Sequence, residues 1–294
     1  MGSTYSLPEL YGKALIASRA KKFKLSKDYL QKCLYFGSNK QEYLQKLRYY
    51  ESTTQYKYAL ILLNPSKISS ENIEIIKNLA KIGHAIAQNN LGYCYLKGIG
   101  VKVNLGKAFK YYKLAADQEY TEAQYHLGYC YEKGIGVEQN FREAVKYYKL
   151  AADQGNVKAQ YNLGNCYRSG IGVELNLKEA FKYYKLAADQ GNVYAQNALG
   201  NCYENCFGVK QNKRNKKNAF KYYKLAADQG YAEAQNNLGI CYQKGIGVEI
   251  NYHVAIEYYQ LAANQNHPKA HDNMSNCTYN IIDWDQYWRA HMWK

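Results

Sequence analysis

Side chains able to do chemistry are sparse in this chain, and few stand at spacings that a reaction uses. Ser18-Arg-Ala-Lys21 fits S-x-x-K, in which an amine activates a serine nucleophile, but the companion motifs S-D-N and K-T-G are missing. Neither G-x-S-x-G nor H-E-x-x-H occurs. His267 and His271 are spaced i, i+4, which puts two imidazoles on one helix face near Cys277 and could hold a metal ion; a surface histidine pair is the plainer reading. Lys97-Gly98-Ile99-Gly100 lacks the spacing of a phosphate-cradling loop. The expectation is a chain that is not an enzyme and has no cofactor or metal. A minor hydrolase built on Ser18 and Lys21 is the third and weakest reading.

Two further features point to binding. Met1-Gly2-Ser3-Thr4-Tyr5-Ser6 fits the myristoylation pattern, and Arg19, Lys21, Lys22, Lys24 and Lys27 follow as a second membrane signal. Six-residue patterns arise by chance, so an ordinary start is favoured, and a membrane partner follows only if Gly2 is acylated. Net charge is +15, of which residues 1–50 supply +7 and residues 195–233 supply +4. Lys210, Lys213, Arg214, Lys216 and Lys217 form a basic loop that would suit nucleic acid, an acidic partner or an import receptor; a solvated insertion is the bland alternative.

What must position these residues is a repeat. AQNNLGYCY from Ala87 returns as AQYHLGYCY from Ala123 and AQYNLGNCY from Ala159, and again from Ala195, Ala234 and Ala270. The starts lie 36 residues apart except for a 39-residue interval after Ala195, the mark of a stacked array. The longest apolar run, Ala59 to Leu63, is far too short to span a membrane, and no hydrophobic signal segment opens the chain. A soluble intracellular protein, cytoplasmic in the first instance, is expected.

Within one unit, Ala87, Leu91, Cys94 and Tyr95 fall on one helix face, which defines helix A. Gly98 can take the left-handed conformation that ends it. Helix B opens at an asparagine N-cap, with a capping box where Asn140 precedes Glu143 and Asn176 precedes Glu179. Ala108, Tyr111, Tyr112 and Ala115 give helix B its core face. Gly92 returns as Gly128, Gly164, Gly200 and Gly239, so a close approach is expected there in spite of the helix-propensity cost. Six cysteines stand one per repeat (Cys94, Cys130, Cys166, Cys202, Cys241 and Cys277) and read as buried, unbridged thiols.

The unit resembles the Sel-one-like repeat family, a relative of tetratricopeptide repeats with a longer, glycine-rich loop; its pattern A-x-x-x-L-G-x-x-Y-x-x-G-x-G-V-x-x-N-x-x-x-A-x-x-Y-Y-x-x-A-A is met almost fully from Ala87, Ala123, Ala159 and Ala234. The resemblance implies an all-α fold, a right-handed α/α superhelical solenoid of antiparallel helix pairs. Five repeats are expected at 87–122, 123–158, 159–194, 195–233 and 234–269, after a helical region at 1–50 and a degenerate repeat at 51–86. Residues 270–294 read as a partial repeat and a cap carrying Trp284, Tyr287, Trp288 and His291. The fourth repeat departs from the pattern, with Cys206 in place of the first loop glycine and an insertion within 210–218, which leaves its loop geometry open.

Positions that stay constant between copies serve the stack, and positions that vary are free for something else. On helix A the varying positions include Asn89 and Tyr93, and then Tyr125 and Tyr129, Tyr161 and Asn165, Asn197 and Asn201, and Asn236. By resemblance that face lines a concave groove. Its tyrosines and asparagines suit an extended polypeptide, since tyrosine offers rigid contact area and asparagine both donates and accepts. The reading is a non-enzymatic scaffold or adaptor with a protein or peptide partner, and nucleic-acid or acidic-partner binding through the basic segments is the alternative.

Overall fold

The computed structural model describes residues 73–279, so Gly2, the Ser18–Lys21 pair, region 1–50, most of 51–86 and the tryptophan cap lie outside the described residues. The chain divides into two compact units at Tyr120/Thr121. Among the described residues every regular element is a helix.

In the first unit, α1 (Ile73–Lys81), α2 (Ala85–Lys97) and α3 (Leu105–Ala116) follow one another. Ile73, Ile76 and Ala80 of α1 close over Ala87, Leu91 and Cys94 of α2. Gly98 ends α2 at φ 76°, and Asn104 opens α3 by accepting the Lys107 N–H at 2.8 Å. Satisfying that otherwise orphaned donor stabilises such a helix by ~0.5–2 kcal/mol.

The second unit holds α4 (Thr121–Lys133), α5 (Phe141–Asp153), α6 (Val157–Ser169), α7 (Leu177–Asp189), α8 (Val193–Glu204), α9 (Arg214–Ala227), α10 (Ala232–Lys244) and α11 (Tyr252–Ala263). A last helix, α12, covers residues 270–279. Even-numbered helices are of type A and odd-numbered ones of type B, and within each unit each packs on its sequence neighbours. The alanine, leucine and cysteine face of each A helix meets the alanine and tyrosine face of its B helix in one buried seam.

The glycine inside helices α2, α4, α6, α8 and α10 is explained chiefly by a tyrosine ring, with a backbone carbonyl also close at Gly92 (Ala108) and Gly128 (Ala144). A Cβ at Gly128, Gly164, Gly200 or Gly239 would stand 2.6–2.7 Å from the ring of Tyr148, Tyr184, Tyr223 or Tyr259. These four tyrosines are fully buried. The glycine costs roughly 1 kcal/mol of helix propensity, whereas burying a large side chain contributes ~1.5–3 kcal/mol, so the trade favours glycine. A second tyrosine on each B helix lies flat on the last tyrosine of its A helix, as in Tyr131–Tyr147 and Tyr167–Tyr183, with centroids 5.8 Å apart.

A ladder of buried glutamines joins one repeat to the next. Gln160 donates to the Ala152 carbonyl of α5 at 3.2 Å and accepts from Gln190, beyond α7, at 2.8 Å. Gln196 does the same with Ala188 (3.4 Å) and Gln229 (2.7 Å). In the first unit Gln88 bonds Ala80 (3.2 Å) and Gln118 (2.6 Å). Each of these carbonyls already accepts from the turn that follows its helix, as Ala152 O does from the Gly155 N–H at 2.9 Å, so the glutamine amide adds a second bond there and ties that helix end to the next repeat.

Candidate partner-binding face

On the second unit the varying positions of α4, α6, α8 and α10 lie beside one another. Tyr125 on α4 rests against the buried Tyr148 ring at 6.0 Å, and Tyr161 on α6 against Tyr184 at the same distance. Tyr129, Asn165, Asn197 and Asn201 are half-buried. In the first unit Tyr93 is also half-buried. Asn89 and Asn236 depart from the expected solvated face, being only 6% and 3% exposed. Their side chains are too short to clear the neighbouring helices: Asn236 is covered by Asn273 of α12, which donates to it at 2.8 Å. Asn89 reaches Asn90 at 3.4 Å, and its own Oδ1 has no partner.

Some variation on this face is constrained from beneath, because each buried tyrosine hydroxyl needs an acceptor. Tyr148 donates to Glu132 at 2.6 Å, Tyr223 to Glu204 at 2.7 Å and Tyr259 to Gln243 at 2.6 Å. In the third repeat Arg168 occupies that position and cannot accept, and Tyr184 donates instead to Asn165, one turn earlier, at 2.7 Å. Asn165 therefore serves the core as well as the face.

The sequence reading missed the most exposed aromatic here. Tyr194 on α8 is 49% exposed and stands 5.9 Å from Tyr161 and 5.1 Å, edge-on, from Tyr231. Its counterpart Lys158 sits over the Tyr125 ring at 5.9 Å. Both lie three residues before a position that was singled out, on the same helical face, so the signal was present in the spacing. Asn237 of α10 donates to Asn197 at 3.0 Å, which ties α8 to α10 across the face. Burial, with Tyr129 and the carboxylates of Glu132 and Glu122 nearby, raises the Tyr125 pKa, so its phenol remains a neutral donor.

Burial works against thiolate formation at the described core cysteines. The seven described cysteines are free, and burial pushes Cys94, Cys166 and Cys202 to about 11 and Cys130 and Cys241 to about 12. His267 is buried and bonded to Glu233 of α10 at 2.8 Å, while His271 is exposed on the surface. Among the described residues no group of three metal-ligating side chains converges.

The fourth repeat's loop starts on the shared course. Cys206 takes φ 58° at the glycine position, and the Phe207 N–H donates to Cys202 at 2.9 Å as the Ile171 N–H does to Cys166 at 3.1 Å. The difference comes afterwards. Asn215 stands where Asn176 caps α7, four residues before the core alanine, yet it lies inside α9. Its buried amide turns back to hold the loop, donating to Lys210 O at 3.1 Å and Cys206 Sγ at 3.4 Å. Lys210, Lys213, Arg214, Lys216 and Lys217 are all exposed.

The Sel1 repeat model matches five successive segments, 85–120, 121–156, 157–192, 193–231 and 232–267, each opening on the first residue of an A helix. The chain belongs to the Sel1 repeat family. Among solved structures this Sel1 chain is similar to a protective antigen of uropathogenic Escherichia coli with an SLR fold (36% identity, 71% of this chain and 44% of that one, TM-score 0.66). It is also similar to a Sel1 repeat protein from Oxalobacter formigenes (36% identity, 66% of this chain and 80% of that one, TM-score 0.61). A sel1-like repeat-containing protein of Acanthamoeba polyphaga mimivirus is 46% identical over 59 residues, 20% of this chain and 11% of the viral protein. The chain thus spans less than half the length of the E. coli antigen and a ninth of the viral relative. Sel1 repeats are generally non-catalytic scaffolds for protein interaction. No helix among the described residues is long and apolar enough to cross a membrane.

Proposed function

We propose that this Sel1 repeat protein is a non-enzymatic scaffold that holds an extended segment of a partner protein along the A-helix face of its second unit. The observation that carries the reading is the tyrosine cluster of Tyr161, Tyr194 and Tyr231, which presents an exposed ring on a face otherwise rich in asparagine. Tyrosine rings braced by one another lose little side-chain entropy on binding, and the amides beside them can pair with a peptide backbone. Tyr125, Tyr129, Asn165, Asn197 and Asn201 complete the surface; Asn236, being buried, supports it. In the first unit Tyr93 occupies the same register, with the buried Asn89 before it. The free thiols support a reducing, intracellular setting.

The test uses exposed residues so that folding is preserved. Tyr125 and Tyr129 pack on the core, and truncating them would confound binding with stability. The variant Lys158→Glu, Arg168→Glu, Tyr194→Ala changes only exposed side chains. Affinity purification with mass spectrometry should show partners lost from this variant and retained by Lys149→Glu, Lys185→Glu on the B helices. Retention of every partner by the first variant would contradict the reading.

A further inference from the structure

The connection between α8 and α9 runs nine residues, 205–213, where the corresponding loops at 98–104, 134–140, 170–176 and 245–251 run seven. From Asn205 to Ala227 there are seven lysines and arginines and no carboxylate. Five of the cations (Lys210, Lys213, Arg214, Lys216 and Lys217) are exposed, and among the described residues none of the five is in an ion pair. Lysines of the neighbouring B helices behave differently: Lys146 pairs with Glu143 at 3.0 Å and Lys182 with Glu179 at 3.1 Å. Helix α9 opens on cations, without an acid in its first turn, and the side chain that accepts its first N–H is a neutral one, Asn212, bonded to the Arg214 N–H at 2.8 Å. Lys213 stands three and four residues before Lys216 and Lys217, a spacing of like charges at the positive end of the helix dipole that an incoming anion relieves.

The reach of this positive field is limited on both sides. Gly208 lies against the Leu177 carbonyl and Phe181, which seats the basic loop on the opening turn of α7, beside Glu179 and the exposed Glu174. Gly247 lies against the Lys216 carbonyl and seats the following loop, with its exposed Glu249, on the opening turn of α9. A nucleic acid tracking this edge would meet carboxylates one repeat away in either direction, and its continuous charge would be repelled there. A short anion avoids both.

We propose that the basic edge of the fourth repeat docks a short acidic segment, rich in aspartate and glutamate, of a partner polypeptide. Arg214 offers a bidentate fork to one carboxylate, and the lysines offer point charges to its neighbours. This surface and the tyrosine face are independent, and neither reading rests on the other.

A short fluorescein-labelled peptide alternating Glu and Gly serves as probe, titrated by anisotropy into the full chain at low and at physiological ionic strength. The variant Lys213→Gln, Arg214→Gln, Lys216→Gln, Lys217→Gln should weaken binding by about tenfold or more, because rim charges set such encounters. Lys149→Gln, Lys185→Gln should leave it unchanged, and so reports any general effect of net charge; residues 1–50 are present in every version and cancel in the comparison. The milder pair Lys210→Gln, Lys213→Gln gives an intermediate loss and stands in if the fourfold variant misfolds. Unchanged peptide affinity in a folded fourfold or twofold variant overturns the proposal. So does a thymidine oligonucleotide of matched length that binds more tightly than the peptide and is lost in the same variant, since the edge would then be a nucleic-acid site.

Discussion

Replacing Gly164 by alanine tests the glycine–tyrosine wedge directly. The new Cβ would stand 2.7 Å from two ring carbons of Tyr184, against 3.4–4 Å for ordinary contact. The ring has nowhere to go: Tyr184 is fully buried, backed by Ala187, Ala195 and Leu199, with its hydroxyl held by Asn165 at 2.7 Å. Overpacking of this kind costs ~1–3 kcal/mol, and alanine returns roughly 1 kcal/mol of helix propensity, so a net loss of up to about 2 kcal/mol is expected. Urea unfolding followed by far-ultraviolet circular dichroism should show a lower midpoint than wild type. The double variant Gly164→Ala, Tyr184→Leu removes the wedge, and a cycle with the single variants should return a coupling of about 1 kcal/mol or more that favours the pair. A midpoint at or above wild type for Gly164→Ala, or a coupling near zero, would refute the wedge and leave the recurring glycine without this explanation.

Gln160→Leu removes the bonds that Gln160 makes to the Ala152 carbonyl and to Gln190, which keep the Gly155 N–H and the Leu186 carbonyl respectively, and should cost ~0.5–1.5 kcal/mol in the same unfolding assay, while Lys158→Ala, three residues before Tyr161 and exposed, should change little. Burial holds the Cys130 and Cys241 thiols at about 12, so iodoacetamide at mildly alkaline pH should leave both unlabelled in the folded chain and label them in urea, as peptide mass mapping will show. Burial, aided by Lys158, lowers the His126 pKa from 6.5 to about 4. The neutral ring is thus favoured by folding, and its contribution is full above the unfolded pKa and is lost as pH falls from 6.5 toward 4. His126→Asn, which installs the residue found at Asn90 and Asn162, should flatten that acid dependence by on the order of 1–3 kcal/mol, measured as unfolding free energy across the window.

The helices and their ends were legible because they depend on neighbours in sequence. Asn140 accepts from Arg142 and Glu143, both at 3.1 Å, and Gly98 and Gly170 take the left-handed cap, as their spacing implied. The glutamine ladder was not legible, because the partner of Gln160 is thirty residues ahead in Gln190 and its acceptor belongs to the preceding helix. Asn236 and Tyr129 occupy varying positions that look alike in one dimension, and only the approach of α12 decides that the asparagine is covered. Asn215 shows the remaining difficulty: three added residues turn a cap into a helix-interior amide, and no local rule states where the helix will restart.

The glutamine ladder also bears on how such a chain can change its length over generations. The rungs at Gln160 and Gln196 use the same three parts, an A-helix glutamine, an Ala–Ala carbonyl and a glutamine after helix B, so these repeats meet through interchangeable contacts. Unequal recombination that adds or deletes one whole module restores the rung at the new junction without a compensating substitution. The fourth repeat shows that even the module's length can drift. The glutamine partners there are 33 residues apart rather than 30, yet the bond between Gln229 and Gln196 measures 2.7 Å, as tight as the 2.8 Å bonds on either side. Insertions in the A–B loop fall outside the lock, and it is there that new surface can arise without disturbing inheritance of the stack.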